Sequence, residues 1–374
     1  MRIVVAPDSF KGSIGAAGAA AALAAGWRDA RPGDDVACVP LADGGEGTLE
    51  VLAAAVGTAR WHRVPVTGPA GTQVSARWLE LPGGTGYIEL AQGSGLPLMT
   101  ALDPLGAQTT GTGELIADAL DAGVRRIVIA LGGSASTDGG SGALAALGAR
   151  FLDAAGQELP PGGGALGGLA SADLTGLRPP PPGGVACLTD VRAPLLGPRG
   201  AAAVFGPQKG ADAAQIAVLE AGLGRLAAAL GGDPGAPGSG AAGGTGYGLA
   251  VAWGAQIRPG ADEVSRIVGL GRQLNDADLV LTGEGRYDAT SADGKVTGSV
   301  LAAAARAGVP AVIVAGQVAD DPPPGVTAVA LAALAGGNDA AMTSPERWLR
   351  AAGERLARGL TAGPDHPVAG QAAG

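Results

Sequence analysis

The chain has 374 residues, a length that favours about two domains. Its formal net charge is -9, and aromatic residues make up only 3% of it. A nucleic-acid binder would need clustered cations and base-stacking rings, so we expect no nucleic-acid partner.

The cysteines and the apolar segments argue against further classes of protein, namely zinc, secreted and membrane proteins. Cys38 and Cys187 lack any metal-ligand spacing and are expected to be buried thiols. The start MRIVVAPDSF is too short an apolar run for a secretory leader, and the Ala-rich segment 16–26 is too short to span a bilayer. We therefore expect a cytoplasmic protein with no membrane partner.

Strand and helix signals alternate along the chain. Short β-branched runs, each followed by a glycine turn and an Ala/Leu segment, are RIVVA (2–6), RIVIALG (126–132), DLVLTG (278–283) and PAVIVAG (310–316). Between 59 and 90 the pattern alternates with turn signals, which is typical of antiparallel strands. The βα units predict an α/β fold with a buried parallel sheet.

The return of βα units near the C-terminus predicts a discontinuous first domain, residues 1–65 plus 285–374. A second, mixed α/β domain over 66–284 would be inserted into it. Within the insertion, the Gly/Pro-rich segment 158–184 is interpreted as a linker. The segment 230–248 is interpreted as a folded loop that lets backbone approach a ligand.

Three glycine-rich turns follow strands or precede helices: LADGGEGT (41–48), GGSASTDGG (132–140) and TGEGRYDATSADGK (282–295). Each could offer backbone N–H groups to an anion, although a tight strand–helix connection would look the same. No Walker A loop is present, and no GxGxxG fingerprint follows the first strand.

The charged residues on and near these turns strengthen the case for a phosphate-binding site. Phosphoryl transfer needs cations, Mg²⁺-binding carboxylates and a group that accepts the hydroxyl proton. Strand-end cations are Lys11, Lys209, Arg286 and Lys295, and strand-end carboxylates are Asp8, Asp43, Asp138, Asp190, Glu284 and Asp288. A hydrolase triad is disfavoured, since the chain's two histidines, His62 and His366, lie in a predicted edge segment and the tail.

In order along the chain, these motifs resemble those of the class I glycerate kinases. The matching blocks are APDSFKGS (6–13), PLADGGEGT (40–48), TTGTGELI (109–116), GGSASTDGG (132–140), FGPQKGA (205–211), AAGGTGYG (241–248) and TGEGRYD (282–288) with GK at 294–295. The resemblance implies Mg²⁺-dependent transfer of the ATP γ-phosphate to D-glycerate, with 2-phosphoglycerate favoured. It also implies a Rossmann-like discontinuous domain, an inserted α/β domain and an active site in the cleft between them.

The resemblance also suggests roles for individual residues. Lys11 would pair with the substrate carboxylate or the transferring phosphate, and Asp8 would orient a hydroxyl or a metal-bound water, with Ser9 beside them. Alternatively, Asp8 or Ser9 caps the next helix.

Asp288 is the leading candidate for the base, with Arg286 and Lys295 stabilising developing charge. Asp190 is a rival for base or metal ligand. The metal candidates are Asp43, Glu284 and Asp190. Thr290 stands where the family commonly has Gln.

The nucleotide- and phosphate-binding candidates are Gly132, Gly133, Ser134, Asp138, Gly139, Gln208, Lys209, Gly243 and Gly244. For Lys209, a salt bridge within the loop is nearly as favoured.

Other functions stay open: a kinase for another hydroxy acid such as tartronate, a non-catalytic anion-binding protein, or a degenerate kinase. The oligomeric state has no sequence signal.

Overall fold

The computed structural model describes residues 1–291 and 295–360; Gly294 and His366 lie outside these ranges. The chain divides into two compact units. The first unit holds residues 1–43 and the described residues from 261 onward, and the second holds residues 44–260.

The described residues form the strands β1 (Arg2–Val5), β2 (Asp35–Cys38), β3 (Arg60–Thr67), β4 (Gln73–Leu81), β5 (Thr85–Glu89), β6 (Arg126–Ala130), β7 (Arg150–Leu152), β8 (Ser171–Asp173), β9 (Val185–Leu188), β10 (Gln256–Arg258), β11 (Leu279–Thr282), β12 (Arg286–Tyr287), β13 (Ala311–Ala315), β14 (Gln317–Val318) and β15 (Thr327–Ala330).

The helices are α1 (Ala16–Ala30), α2 (Thr48–Ala55), α3 (Leu90–Ser94), α4 (Thr110–Asp121), α5 (Ser141–Ala146), α6 (Ala201–Phe205), α7 (Ala213–Leu230), α8 (Thr245–Trp253), α9 (Gly260–Val268), α10 (Leu270–Leu274), α11 (Val296–Ala307), α12 (Leu331–Ala335), α13 (Asn338–Thr343) and α14 (Pro345–Gly359). Short 3₁₀ turns occur at Leu96–Leu98, Gly163–Gly168, Pro207–Lys209 and Ala289–Ser291.

The first unit is built on a parallel sheet in the order β15-β13-β11-β1-β2. The strands β1 and β11 are almost fully buried, as their continuous apolar runs require. From β1 the chain moves to β2 on one side and later to β11 on the other. Such a reversal of strand order is where open α/β sheets bind ligands, beyond the carboxyl ends of the strands.

The second unit contains a mixed sheet in the order β10-β9-β6-β5-β4-β3. β3, β4 and β5 pair antiparallel, which confirms the prediction from the alternating pattern of 59–90. β5 then pairs in parallel with β6, and the parallel part continues through β9 to β10. Trp78, Ile88, Ile127 and Leu144 are fully buried in the core of this unit.

The unit boundaries differ from the predicted ones at 65/66 and 284/285. β3 pairs with β4 along its whole length, which draws residues 60–67 into the second unit. β11 lies between β1 and β13, which draws residues 279–282 into the first.

Two smaller expectations are wrong. The 158–184 segment is no linker, because Leu166 and Leu169 are buried in the core and its 3₁₀ turn packs on α7. Cys38 is exposed at the end of edge strand β2, whereas Cys187 is buried as expected.

Over the ranges 1–291 and 295–360, α7 is the one helix long and apolar enough, by length and composition, to cross a bilayer. Core helices pass the same test, and α7 buries Leu219, Leu223 and Leu226 in the core of the second unit.

Candidate active site

In the first unit, the carboxyl ends of β1, β2 and β11 bring together three acidic side chains. Asp8 follows β1, Asp43 follows β2 and Glu284 follows β11. The backbone N–H of Asp8 donates to the Gly283 carbonyl at 2.8 Å, which ties the end of β1 to the end of β11. The carboxylates therefore lie at the point where the strand order reverses.

The proximity of these carboxylates perturbs Asp8. Burial, followed by the negative charge of Asp43, raises the pKa of Asp8 to about 7. Glu284 adds to this rise, while the Ser9 N–H, 2.6 Å from Asp8 Oδ1, and Lys11 oppose it. A carboxyl of this kind needs a proton or a cation to offset its environment at neutral pH.

Glu284 is 8% exposed, and burial raises its pKa. Its Oε1 is buried and makes no hydrogen bond of standard geometry within the described chain, while Thr297, Ser291 and the charge of Lys295 offset part of the rise in the pKa of the carboxyl. Such an oxygen is rare in a folded protein and suits a cation. Among residues 1–291 and 295–360, no three or more His, Cys, Asp or Glu side chains are arranged as a complete metal site. Carboxylates could thus supply only part of a Mg²⁺ shell, which is usual where substrate phosphates complete it.

A second group of polar side chains, connected by hydrogen bonds and an ion pair, follows β11. Asp288 Oδ1 accepts hydrogen bonds from the Thr290 hydroxyl at 2.6 Å and from its N–H at 3.0 Å. Lys295 Nζ donates to Thr290 Oγ1 at 2.9 Å, and Arg286 Nε lies 3.5 Å from Asp288 Oδ2. The Thr290 hydroxyl bond is the main cause of a lowered pKa at Asp288, with Lys295 and Arg286 contributing. Thr290 thus connects Lys295 to Asp288.

In the second unit, a turn over residues 132–140 follows β6. The N–H of Gly132 donates to the Gly44 carbonyl at 3.1 Å, and that of Gly139 donates to the Gly243 carbonyl at 3.0 Å. These two N–H groups are therefore not free for phosphate, contrary to expectation. The N–H groups of Gly133 and Ser134 have no hydrogen-bond acceptor among the described residues.

Asp138 holds this turn from inside and is fully buried. Its carboxylate accepts from the Thr109 N–H at 2.9 Å, the Thr109 hydroxyl at 2.7 Å, the Gly140 N–H at 3.1 Å and the Gly142 N–H at 3.3 Å. Burial raises its pKa against these bonds. Predicted as a nucleotide ligand, Asp138 instead joins the turn to the start of α4 and α5.

The other predicted nucleotide residues divide into two groups. Gly243 and Gly244 have φ of 63° and 89°, and a Cβ on Gly243 would lie 2.1 Å from the Ser136 carbonyl oxygen, so this loop packs directly on the turn. Lys209 is 2% exposed and donates to Ser134 and Ser136, whereas Gln208 is exposed.

Asp190 follows β9 in the second unit. Its Oδ1 accepts a hydrogen bond at 2.9 Å from the N–H of Gly260, the first residue of α9. This bond gives Asp190 a structural role in the second unit.

Comparison with known proteins identifies the family. The model of the glycerate kinase family matches residues 3–361. The chain belongs to the glycerate kinase family. A glycerate 2-kinase of Escherichia coli (strain K12) is 44% identical over 332 residues, covering 86% of each chain. A glycerate kinase of Bacillus subtilis (strain 168) is 45% identical over 332 residues, with the same coverage.

A solved structure described as a glycerate kinase 2 from Salmonella typhimurium LT2 matches with a TM-score of 0.81 at 40% identity. The match covers 98% of this chain and 100% of that one. The protein is therefore a kinase with the α/β fold of its family.

The sequence interpretation missed one candidate residue of this kinase, Glu89 at the end of β5. It is 2% exposed, its Oε1 accepts from the Leu49 N–H at 2.9 Å, and burial raises its pKa to about 7. Glu89 also lines a cavity of about 270 Å³ in the second unit, together with Glu46, Gly47, Glu50, Ala91, Gln92, Pro97 and Leu98. The sequence carried this pattern, since an acidic residue near the carboxyl end of a buried strand is also what marked Asp8.

Proposed function

We propose that this kinase transfers the γ-phosphate of ATP to the 2-hydroxyl of D-glycerate, with Mg²⁺ as cofactor. Family membership supports glycerate as the acceptor, and the E. coli relative named glycerate 2-kinase supports the 2-hydroxyl. The observation that best supports the proposal is that Asp8, Asp43 and Glu284 lie together where the first sheet reverses its strand order.

These carboxylates fit a Mg²⁺ site. The Glu284 Oε1 makes no hydrogen bond of standard geometry within the described residues, and Asp8 is held at a pKa of about 7 by burial and neighbouring charge. Both conditions are relieved by a cation. Because three carboxylates are not grouped as a metal site among the described residues, Asp8 and Glu284 would hold the metal and phosphate oxygens would complete its shell. Bound Mg²⁺ would neutralise charge on the transferred phosphoryl group.

Cationic side chains at the same edge would act on the substrates. Lys11 is exposed beside Asp8 and is available to a carboxylate or phosphate. Arg286 and Lys295 flank Asp288 and would stabilise charge on the equatorial oxygens.

Asp288 would orient the acceptor hydroxyl and take its proton. Its lowered pKa makes it a weak base. A loose, metaphosphate-like transition state needs mainly positioning, so a weak base at this position is sufficient. The Thr290 and Arg286 contacts would fix the carboxylate for that task.

In the second unit, the turn over 132–140 would bind nucleotide phosphate through the N–H groups of Gly133 and Ser134. This assignment is supported by their lack of acceptors among the described residues and by their place at the end of parallel strand β6. Because the reaction consumes ATP, the proposal places the enzyme in the cytoplasm.

The test is ADP formation by the purified protein with ATP, Mg²⁺ and D-glycerate, followed by addition of enolase alone. Direct formation of phosphoenolpyruvate would identify the product as 2-phosphoglycerate. ADP without that conversion would move the acceptor to the 3-hydroxyl. No ADP above the control without glycerate would refute the proposal, and a hydroxy-acid panel with ligand-binding assays would then separate a shifted kinase from an anion-binding protein.

Two variants sharpen the test. Asp288→Asn combined with Lys295→Ala should lower kcat by a factor of about 10² or more, as expected for loss of a positioned base and a charge-stabilising group. Asp35→Asn is the matched control, because it alters an exposed carboxylate at the amino end of β2, opposite the carboxyl ends that carry the site, and it should leave turnover unchanged.

A further inference from the structure

Lys209 is one of only three lysines in the sequence and is almost completely buried. Its Nζ donates to the Ser134 hydroxyl at 2.9 Å and to the Ser136 carbonyl. Both acceptors belong to the turn over 132–140. The ammonium thus bridges two positions of the turn, on either side of Ala135, from within the second unit.

The backbone that carries Lys209 is firmly held. The N–H groups of Lys209 and Ala211 both donate to the Gly206 carbonyl, each at 3.0 Å. Directly after them, Asp212 and Gln215 form a reciprocal capping box at the start of α7. A lysine mounted in this way can fix a neighbouring loop, because its own main chain has little freedom.

Other contacts hold the remainder of the turn. The Gly133 carbonyl accepts from the Leu96 N–H at 2.8 Å, the Ala135 N–H donates to the Ser94 carbonyl at 3.0 Å, and Asp138 fixes the far end. The N–H groups of Gly133 and Ser134 are left without acceptors among the described residues. Lys209 adds two side-chain bonds, to Ser134 and Ser136, to the backbone bonds that hold the segment carrying these groups.

Direct contact between Lys209 and a nucleotide is disfavoured. At 2% exposure the residue has almost no surface to offer a ligand. Burial also lowers the pKa of its amine to about 7, although Asp138 opposes the shift. Burial thus works against the positive charge that would suit a phosphate ligand.

We propose that Lys209 is a positioning residue for nucleotide binding: it holds Ser134 and Ser136 from inside so that the N–H groups of Gly133 and Ser134 stay aimed at phosphate. The inference rests on the proposed function of the turn. It changes the expected role of Lys209 from a nucleotide contact to a support behind one.

The first test is Lys209→Met, which preserves length and apolar stem but removes the donors. We expect the KM for ATP to rise about tenfold or more, the size expected for a lost buried hydrogen-bonded contact. The KM for glycerate and kcat should stay within about threefold of wild type, since the donors act on nucleotide binding alone. Arg178→Met is the control, because Arg178 contacts Asp121 and the Ala117 carbonyl instead of the turn.

The mechanism predicts coupling between Lys209 and Ser134. In a double-mutant cycle, Lys209→Met combined with Ser134→Ala should raise the KM for ATP by less than the product of the two single effects. Effects that multiply independently would overturn the proposed route through Ser134. A fall in kcat with unchanged KM for ATP would also overturn it, because it would indicate contact in the transition state. Unchanged kinetics in Lys209→Met would reduce Lys209 to a structural residue.

Equilibrium binding separates this inference from the proposed function. ATP affinity is measured by calorimetry for wild type and Lys209→Met, with thermal unfolding as the check that both are folded. If wild type forms no ADP but binds ATP more tightly than the variant, the reaction is wrong and the positioning role stands. If wild type forms ADP and both proteins bind ATP equally, the reaction stands and the positioning role is refuted.

Discussion

Replacing Asp8 with Asn should stabilise the protein while abolishing its activity. In the structure, burial and the nearby Asp43 and Glu284 hold the pKa of Asp8 near 7, against 3.8 for an ordinary Asp. Asn keeps the shape of the side chain and can still accept the bond from the Ser9 N–H. It carries no charge, so it escapes the cost of ionisation in this environment.

The magnitude follows from the shift. Because the folded-state pKa is raised, the folded protein binds more protons than the unfolded chain between about pH 4 and pH 7. The stability of the wild type therefore falls across that window as pH rises. A shift of about 3 units corresponds to at most about 4 kcal/mol, fully developed above pH 7.

The assay is thermal unfolding of both proteins from pH 4 to pH 8 in EDTA, and again with Mg²⁺. At pH 4 the two should unfold at similar temperatures. At pH 8 in EDTA, Asp8→Asn should unfold several degrees higher, using about 2–4 °C per kcal/mol. Mg²⁺ should raise the unfolding temperature of wild type more than that of the variant.

An Asp8→Asn protein no more stable than wild type at pH 8 in EDTA would refute the electrostatic reasoning. Equal responses to Mg²⁺ would instead refute the assignment of Asp8 to the metal site. Loss of ADP formation in the variant, with the fold intact, is the expected companion result.

Three further predictions concern other positions. Glu89→Gln should be more stable than wild type above pH 7, by at most about 3 kcal/mol, and this gain should vanish near pH 4. Urea unfolding at both pH values measures the difference in stability, and an equal difference at both would contradict the prediction. Gly243→Ala should weaken ATP binding in calorimetry, because its Cβ would collide with the Ser136 carbonyl and displace the turn; unchanged affinity would show that the turn tolerates the shift. Asp288→Asn should be less stable than wild type at pH 7, and this loss should disappear as pH falls below the lowered pKa of Asp288, since only the ionised form gains from its contacts; a pH-independent effect in thermal unfolding would disprove this.

The sequence predicted the strands that apolar runs define. Continuous β-branched runs gave β1, β6, β11 and β13, and alternation gave β3 and β4. The predicted boundaries between the two units differ from the observed ones because a local sequence pattern does not show which strands pair with each other. Strand β11 looks like any other buried strand until its neighbours, β1 and β13, are known.

At the site, residue type and strand-end position were enough to name Asp8, Asp43 and Glu284 among six candidate carboxylates, but not to show that these three lie together. Residue type and strand-end position could not distinguish a side chain that faces the ligand from one whose polar atoms are hydrogen-bonded inside the protein. Asp138 and Lys209 looked like ligands because their charge is visible in the sequence, whereas their burial results from packing against Thr109 and Ser136.

The insertion of the second unit between β2 and α9 has a consequence for how the chain folds. Ile3 pairs with Leu279, so β1 cannot pair with β11 until the 217 residues from 44 to 260 have been spanned. Closing a flexible loop of that length costs about 5 kcal/mol of chain entropy.

Within the folded second unit the two ends of this segment are already close. Gly44 lies against Leu188, and Gly260 donates to Asp190, two residues further along. Folding of the second unit would therefore close the loop and remove this entropy cost from the pairing of β1 with β11. Weakening the Asp190–Gly260 bond should slow the refolding of the first unit more than it changes the second.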